Sequence, residues 1–174
     1  MSSPTLNLQL SLVGSVAGSP PIAGSTSLAE SVNLQQLLQL LPGTGGGQAD
    51  TVYQTTGTIA ASGTATVDLN GSVTDVFGAT VNLLHVKAII LLAAAGNTND
   101  VQIGPGAANP FTGPFGGTTP YVAVSPGEMF MITKGSGAAA GWGVTASTAD
   151  ILKLANSGGG SSVTYTLVVI GTST

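Results

Sequence analysis

The chain has 174 residues and 16.9 kDa, a length that suits one domain, or one domain with an arm, and leaves little room for a second core. Seven acids against three lysines and no arginine give a net charge of −4, and charged residues are only 6% of the chain, too few and of the wrong sign for nucleic-acid binding. With no cysteine and a single histidine, disulfides, thiolate chemistry and a histidine-rich metal cage are excluded. A scaffold without a cofactor is expected rather than a catalyst.

Glycine, serine and threonine together exceed a third of the residues, yet apolar residues reach 43% and the mean hydropathy is +0.44. Disorder follows low hydrophobicity with high charge, and both quantities here run the other way, so the chain is expected to fold compactly. With few charges to cover it, the surface must be built of Ser, Thr, Asn, Gln, Gly and some apolar side chains. Assembly interfaces tolerate such a surface better than free monomers do, and an oligomer is expected. Met1-Ser2-Ser3-Pro4 lacks the basic start of an export signal, so synthesis in a cytosol is expected. The longest apolar run, Leu83 to Ala95, holds His85 and Lys87 and falls short of the roughly 20 residues of a membrane span. It reads as a buried strand, and no membrane partner is expected.

In Thr5 to Val13, Leu6, Leu8, Leu10 and Leu12 alternate with Asn7, Gln9 and Ser11, a strand with one apolar face. Residues 14 to 26 combine Gly, Ser and the Pro20-Pro21 pair and read as a linker, so residues 1–26 form a strand-and-linker arm. Ser27-Leu28-Ala29-Glu30 has the form of a capping box, and Leu34, Leu37, Leu38 and Leu41 follow helical spacing up to Pro42-Gly43. A short helix is expected there, with a strand over Val32 to Leu41 as the alternative. The glycines of 43–47 then close a connecting unit, 27–48.

From residue 49 onward, short β-type runs recur about every ten residues between Gly, Asn and Pro, the spacing of a sandwich or barrel. Nine strands are expected: Thr51 to Ala60, Gly63 to Leu69, Leu83 to Ala93, Asp100 to Ile103, Tyr121 to Val124, Met129 to Thr133, Gly141 to Ala146, Ile151 to Ala155 and Val163 to Ile170. Within the third, alternation assigns Leu84, Val86, Ala88, Ile90 and Leu92 to the core. The last is apolar on both faces and should be central. Gly104 to Pro120 has no periodicity and carries four prolines with Phe111 and Phe115. These two rings either tuck under the sandwich or meet another chain.

Chemistry is sparse along the chain. His85 is the one obvious general base and has only Lys87 as a charged neighbour in sequence, and no G-x-S-x-G occurs. Asp68, Asp75, Asp100, Glu128 and Asp150 stand singly at loop–strand junctions, where a carboxylate bonds turn amides. Asp68-Leu69-Asn70-Gly71 and Asn97-Thr98-Asn99-Asp100 resemble pieces of calcium loops but lack the closing glutamate. No metal ligand set is expected.

An ordered series of short motifs is recognisable: Gly43-Thr44-Gly45 with Gln48-Ala49-Asp50, Asp75-Val76-Phe77-Gly78, Val86-Lys87-Ala88, Gly96-Asn97-Thr98-Asn99, Asn109-Pro110-Phe111 and Ser125-Pro126-Gly127. It continues with Gly141-Trp142-Gly143-Val144-Thr145-Ala146, Ala149 to Asn156, and Val163-Thr164-Tyr165 through Ile170-Gly171. Over most of 28 to 174 this series resembles small virion-associated structural proteins of tailed bacteriophages. The resemblance implies a jelly-roll-like β-sandwich on the particle and transfers no enzymatic residue.

The expected whole is an all-β, jelly-roll-like sandwich of eight or nine strands, residues 49–174, with an extended N-terminal arm and one short helix. The expected role is a capsid decoration protein on the virion surface, bound as a homotrimer to the major capsid protein. Leu6, Leu8, Leu10, Leu12, Phe111 and Phe115 are the candidate partner contacts. On this view the arm's strand adds to a neighbour's sheet edge. A host-recognition or fibre-tip protein, binding glycans through Trp142, Tyr121 and Gly104 to Pro120, is the alternative.

Overall fold

The ten-residue rhythm of apolar runs resolves into two facing sheets. The computed structural model describes residues 6–18, 28–134 and 140–174, and these contain strands and no helix. In chain order the strands are β1 (Leu6–Gly18), β2 (Leu28–Pro42), β3 (Gln48–Ala49), β4 (Thr51–Ile59), β5 (Thr64–Asp68), β6 (Asn70–Thr74) and β7 (Thr80–Asn82). They continue with β8 (His85–Ala93), β9 (Val101–Pro105), β10 (Val122–Val124), β11 (Met129–Thr133), β12 (Trp142–Gly143), β13 (Ile151–Asn156) and β14 (Val163–Thr172). One sheet has the order β11-β8-β14-β4, with β12 also on β8, and the other has the order β10-β9-β13-β5. The protein is therefore an all-β sandwich.

Alternation fills the space between the sheets. Leu152 and Leu154 of β13 point inward against Tyr165, Leu167 and Val169 of β14, with Ile103, Leu91 and Val67 in the same cluster. β14 lies between β8 and β4, and its other face also carries apolar residues, Val168 and Ile170, which join a second cluster with Leu38, Leu40, Ala49, Ala88 and Val52. The central strand expected from its two apolar faces is thus in place. Farther along that outer face, threonines replace charges: Thr56 with Thr166 at 3.0 Å and Thr58 with Thr164 at 3.2 Å form cross-strand hydroxyl pairs.

Amides do at the sandwich edge what ion pairs do elsewhere. Asn97 accepts from the Thr164 N–H at 2.8 Å and donates to its carbonyl at 2.9 Å, extending the ladder beyond β8. The buried Asn156 donates to the carbonyls of Ala60 and Ser161, at 3.1 and 2.7 Å, and accepts from the Gly158 N–H at 3.0 Å.

Four expectations need correction. The short helix expected from Ser27 to Leu41 does not form, and the strand alternative holds: residues 28–42 are strand β2, paired antiparallel with β1 from Leu6↔Leu40 to Gly18↔Leu28. Val32, Leu34, Leu38 and Leu40 also alternate, and an open partner strand with matching leucines turns that weaker period into a ladder. The strand read as Thr5 to Val13 continues to Gly18, so the linker reading fails for 14–18; Pro20-Pro21 lies outside the described residues.

The core set of the third sandwich strand is also shifted. Val86 is inward, but beyond it Ile89, Leu91 and Ala93 enter the core, Ala88 joins the second cluster and Leu92 is exposed. The cause is a β-bulge. Ile170 pairs with Ala88 while the adjacent Gly171 pairs with Val86, so Lys87 is an extra residue and the facing alternation reverses across it. The expected Gly141 to Ala146 strand shrinks to β12, and the β6–β7 hairpin was not expected at all.

Candidate interaction surface

The ionisable groups are dispersed. His85 opens β8, and its Nδ1 lies 3.5 Å from the Thr172 hydroxyl. The carboxylates hold turns. Asp68 accepts from the Asn70 N–H at 2.9 Å, Asp150 from the Ser147 N–H at 2.5 Å, and Glu128 from the Ser125 N–H at 3.3 Å. Among the described residues no three His, Cys, Asp or Glu side chains gather as a metal would require.

Lys87, the bulge residue, is 1% exposed and donates to the Gly45 carbonyl at 3.4 Å, which ties the glycine-rich turn after β2 to β8. Burial pulls its pKa below the ordinary lysine value of 10.5. The folded chain then holds this proton less tightly than the unfolded chain, a cost that is complete below the lowered pKa and fades as pH rises toward 10.5. Tyr165 acts oppositely: burial, then the neighbouring Tyr53, raise its pKa above 10.0, so stability falls again beyond that pH. Denaturant midpoints should therefore climb on the alkaline side of neutrality and then drop. Lys87→Met should flatten the climb, and an equal slope in the variant would discard the assignment.

Phe111 is covered by its own chain, and Phe115 is covered in part. Phe111 donates its N–H to the Ile151 carbonyl at 3.0 Å and is wholly buried in the core, and Phe115 packs against that core half-buried. Of the two readings open for these rings, the tuck under the sandwich is the one adopted. The glycan candidates have separate neighbours: Trp142 lies against Gly113 and Lys134, and Tyr121 against Gly104. Neither lines the shallow recess formed by Pro105, Pro110, Thr118, Thr119 and Lys153.

Leu6, Leu8, Leu10 and Leu12 occupy β1 register positions opposite Leu40, Leu38, Gln36 and Leu34. At the base of this hairpin Leu38 and Leu40 are buried on Ala88 and Ile170 of the sandwich. Farther out, Leu34, Leu37 and Val13 are exposed, and Glu30 is the one charged residue in either strand. Thirteen residues at about 3.4 Å each give the paired ribbon a length of about 44 Å.

A second apolar feature was legible only as a turn. Asp75, Val76, Phe77 and Gly78 link β6 to β7, and Phe77 is 81% exposed and Val76 72%. The Asp75 carboxylate accepts from the N–H groups of Phe77 and Ala79 at 2.9 and 2.8 Å, and Gly78 takes φ +82°, so the tip is fixed. Between this tip and the start of β4 runs a cleft of about 580 Å³, lined by Val52, Val76, Phe77 and Val81 together with polar residues that include Asp50, Gln54, Asn82 and Ser173. Asp50 is already satisfied, accepting from the Ser173 N–H at 2.9 Å, the Ser173 hydroxyl at 2.5 Å and the Thr51 hydroxyl at 3.0 Å.

Comparison with protein-family models and with curated proteins finds no match to this chain.

Proposed function

We propose that this chain is a structural protein of a tailed-bacteriophage virion, a decoration protein that binds the assembled capsid as a homotrimer and stabilises it. The observation that carries the reading is the β1–β2 hairpin, a ribbon with exposed leucines and Glu30 as its one charge, set on a sandwich poor in charged side chains. A two-stranded ribbon is marginal alone in water, so this arm calls for a partner surface. The resemblance of residues 28 to 174 to virion-associated proteins supplies the setting: the capsid surface, the major capsid protein as partner, and synthesis in the host cytoplasm.

The strand order supports the jelly-roll form of the sandwich. With β4, β5, β8, β9, β10, β11, β13 and β14 counted one to eight, the sheets run 1-8-3-6 and 2-7-4-5, the order of two nested Greek keys. A protein that binds the finished lattice and not its free subunits stabilises that lattice by mass action. Short side chains also lose little rotamer entropy at the contact.

Purified virions test the reading. The chain should be present in hundreds of copies, and particles lacking it should release DNA at a lower temperature than complete ones. Absence from the particle would sink the proposal, and a copy number in the tens would move it to a fibre tip.

A further inference from the structure

The geometry points to an arm-into-cleft contact between copies of this chain, in which the β1–β2 hairpin of one copy lies in the cleft between the β6–β7 tip and β4 of the next. It rests on the reading of the chain as a self-assembling particle protein, and it gives that assembly its contact.

Donor and acceptor are both visible in one copy. The ribbon exposes Leu34, Leu37 and Val13 although its base is already packed, so its own sandwich does not cover them. The cleft offers the apolar side chains of Val52, Val76 and Val81 and an exposed aromatic wall, Phe77. Asp75 fixes that wall in place, so binding there does not first have to order a loop.

The two carboxylates of the cleft indicate what kind of occupant enters. Asp50 and Asp75 take their hydrogen bonds from Ser173, Thr51, Phe77 and Ala79 of their own chain and need no incoming cation. The segments of the hairpin that bear Val13, Leu34 and Leu37 carry no charge. Val52, a wall of the cleft, also packs beside Leu38 and Leu40 in the second cluster. An incoming ribbon of the same leucine-rich sequence therefore extends a kind of contact the fold already makes. Because donor and acceptor are different surfaces, the contact is head-to-tail, and it closes as a ring when the rotation allows. A ring of three matches the homotrimer, and a ribbon about 44 Å long exceeds the radius of gyration of about 14 Å expected for a sandwich of this size.

Sedimentation of the full chain without capsids tests this. The wild type should run at three times the monomer mass at about 100 μM. The donor variant Leu34→Ser/Leu37→Ser and the acceptor variant Phe77→Ser should each run as monomers, a threefold drop. Mixed in equal amounts they should form one-to-one dimers, since one intact arm and one intact cleft remain. Should Phe77→Ser melt below the wild type, Val76→Ser takes its place on the same wall. A monomeric wild type, a single variant that keeps the wild-type mass, or a mixture that stays monomeric overturns the inference. Capsid binding is measured separately: an assembling chain that ignores capsids removes the decoration role and leaves this contact standing.

Discussion

A chain starting at residue 37 should fold into the same sandwich and lose capsid binding by at least about 100-fold, the equivalent of about 2.7 kcal/mol. The starting point follows from where the hairpin stops touching its own domain. Leu38 and Leu40 cover Ala88 and Ile170, so a cut after them exposes the outer face of β8 and β14. A cut at residue 26 removes all of β1 and leaves the long β2 with an open edge, inviting aggregation that mimics lost function. Cutting at 36 removes most of the exposed ribbon and keeps the two leucines that belong to the fold. Each fully buried leucine contributes about 1.5–3 kcal/mol, so extending the deletion through residue 42 should lower the melting temperature as well. Co-sedimentation with capsids, read beside thermal unfolding, separates the two effects. Unaltered binding by the 37–174 chain would remove the hairpin from the function.

Gly171→Ala should be the most destabilising single substitution in the sandwich, by about 4 kcal/mol or more. Opposite the Lys87 bulge the backbones of β8 and β14 approach so closely that a Cβ at Gly171 would lie 2.1 Å from the His85 carbonyl oxygen and 2.8 Å from Leu83 Cδ2. A backbone oxygen inside a ladder cannot swing aside as a lysine tip does. The strand must move, and the hydrogen bond from the Asp50 N–H to the Gly171 carbonyl, 3.2 Å, moves with it. Gly160 is the control, because nothing lies within 4 Å of the corresponding Cβ, and Gly160→Ala should stay within about 1 kcal/mol of wild type. Equal urea midpoints for the two variants would refute the close-approach account.

The sequence showed most of the sandwich and little of the surface. The strand Ile151–Asn156 was legible because a half-buried strand writes its own alternation into the chain, and Met129–Thr133 because it is a short apolar run bounded by turn residues. The face assignment of β8 failed at Lys87 because a bulge is a property of the pair β8–β14, and neither strand alone records it. The hairpin failed for a related reason: Leu34, Leu37, Leu38 and Leu41 satisfy helical spacing, and only the presence of β1 makes the competing period win. Leu6, Leu8, Leu10 and Leu12 were legible as a strand, but that strand's partner was not. Phe77 was hidden by its commonness, since an Asp-x-x-Gly turn says nothing about whether the two residues between are covered. Their exposure emerges only when β6 and β7 are placed at the edge of the fold.

The three lysines carry one further consequence. Lys87 lies buried in β8, Lys153 in the middle of β13 and Lys134 directly after β11, and there is no arginine. Trypsin-like enzymes need an extended, accessible segment around a basic residue, and the bonds after Lys87 and Lys153 are held inside ladders. Cleavage after Lys87 and Lys153 in the folded protein must wait for β8 and β13 to open, so cutting at those two positions reports opening of the sandwich rather than mobility at its surface.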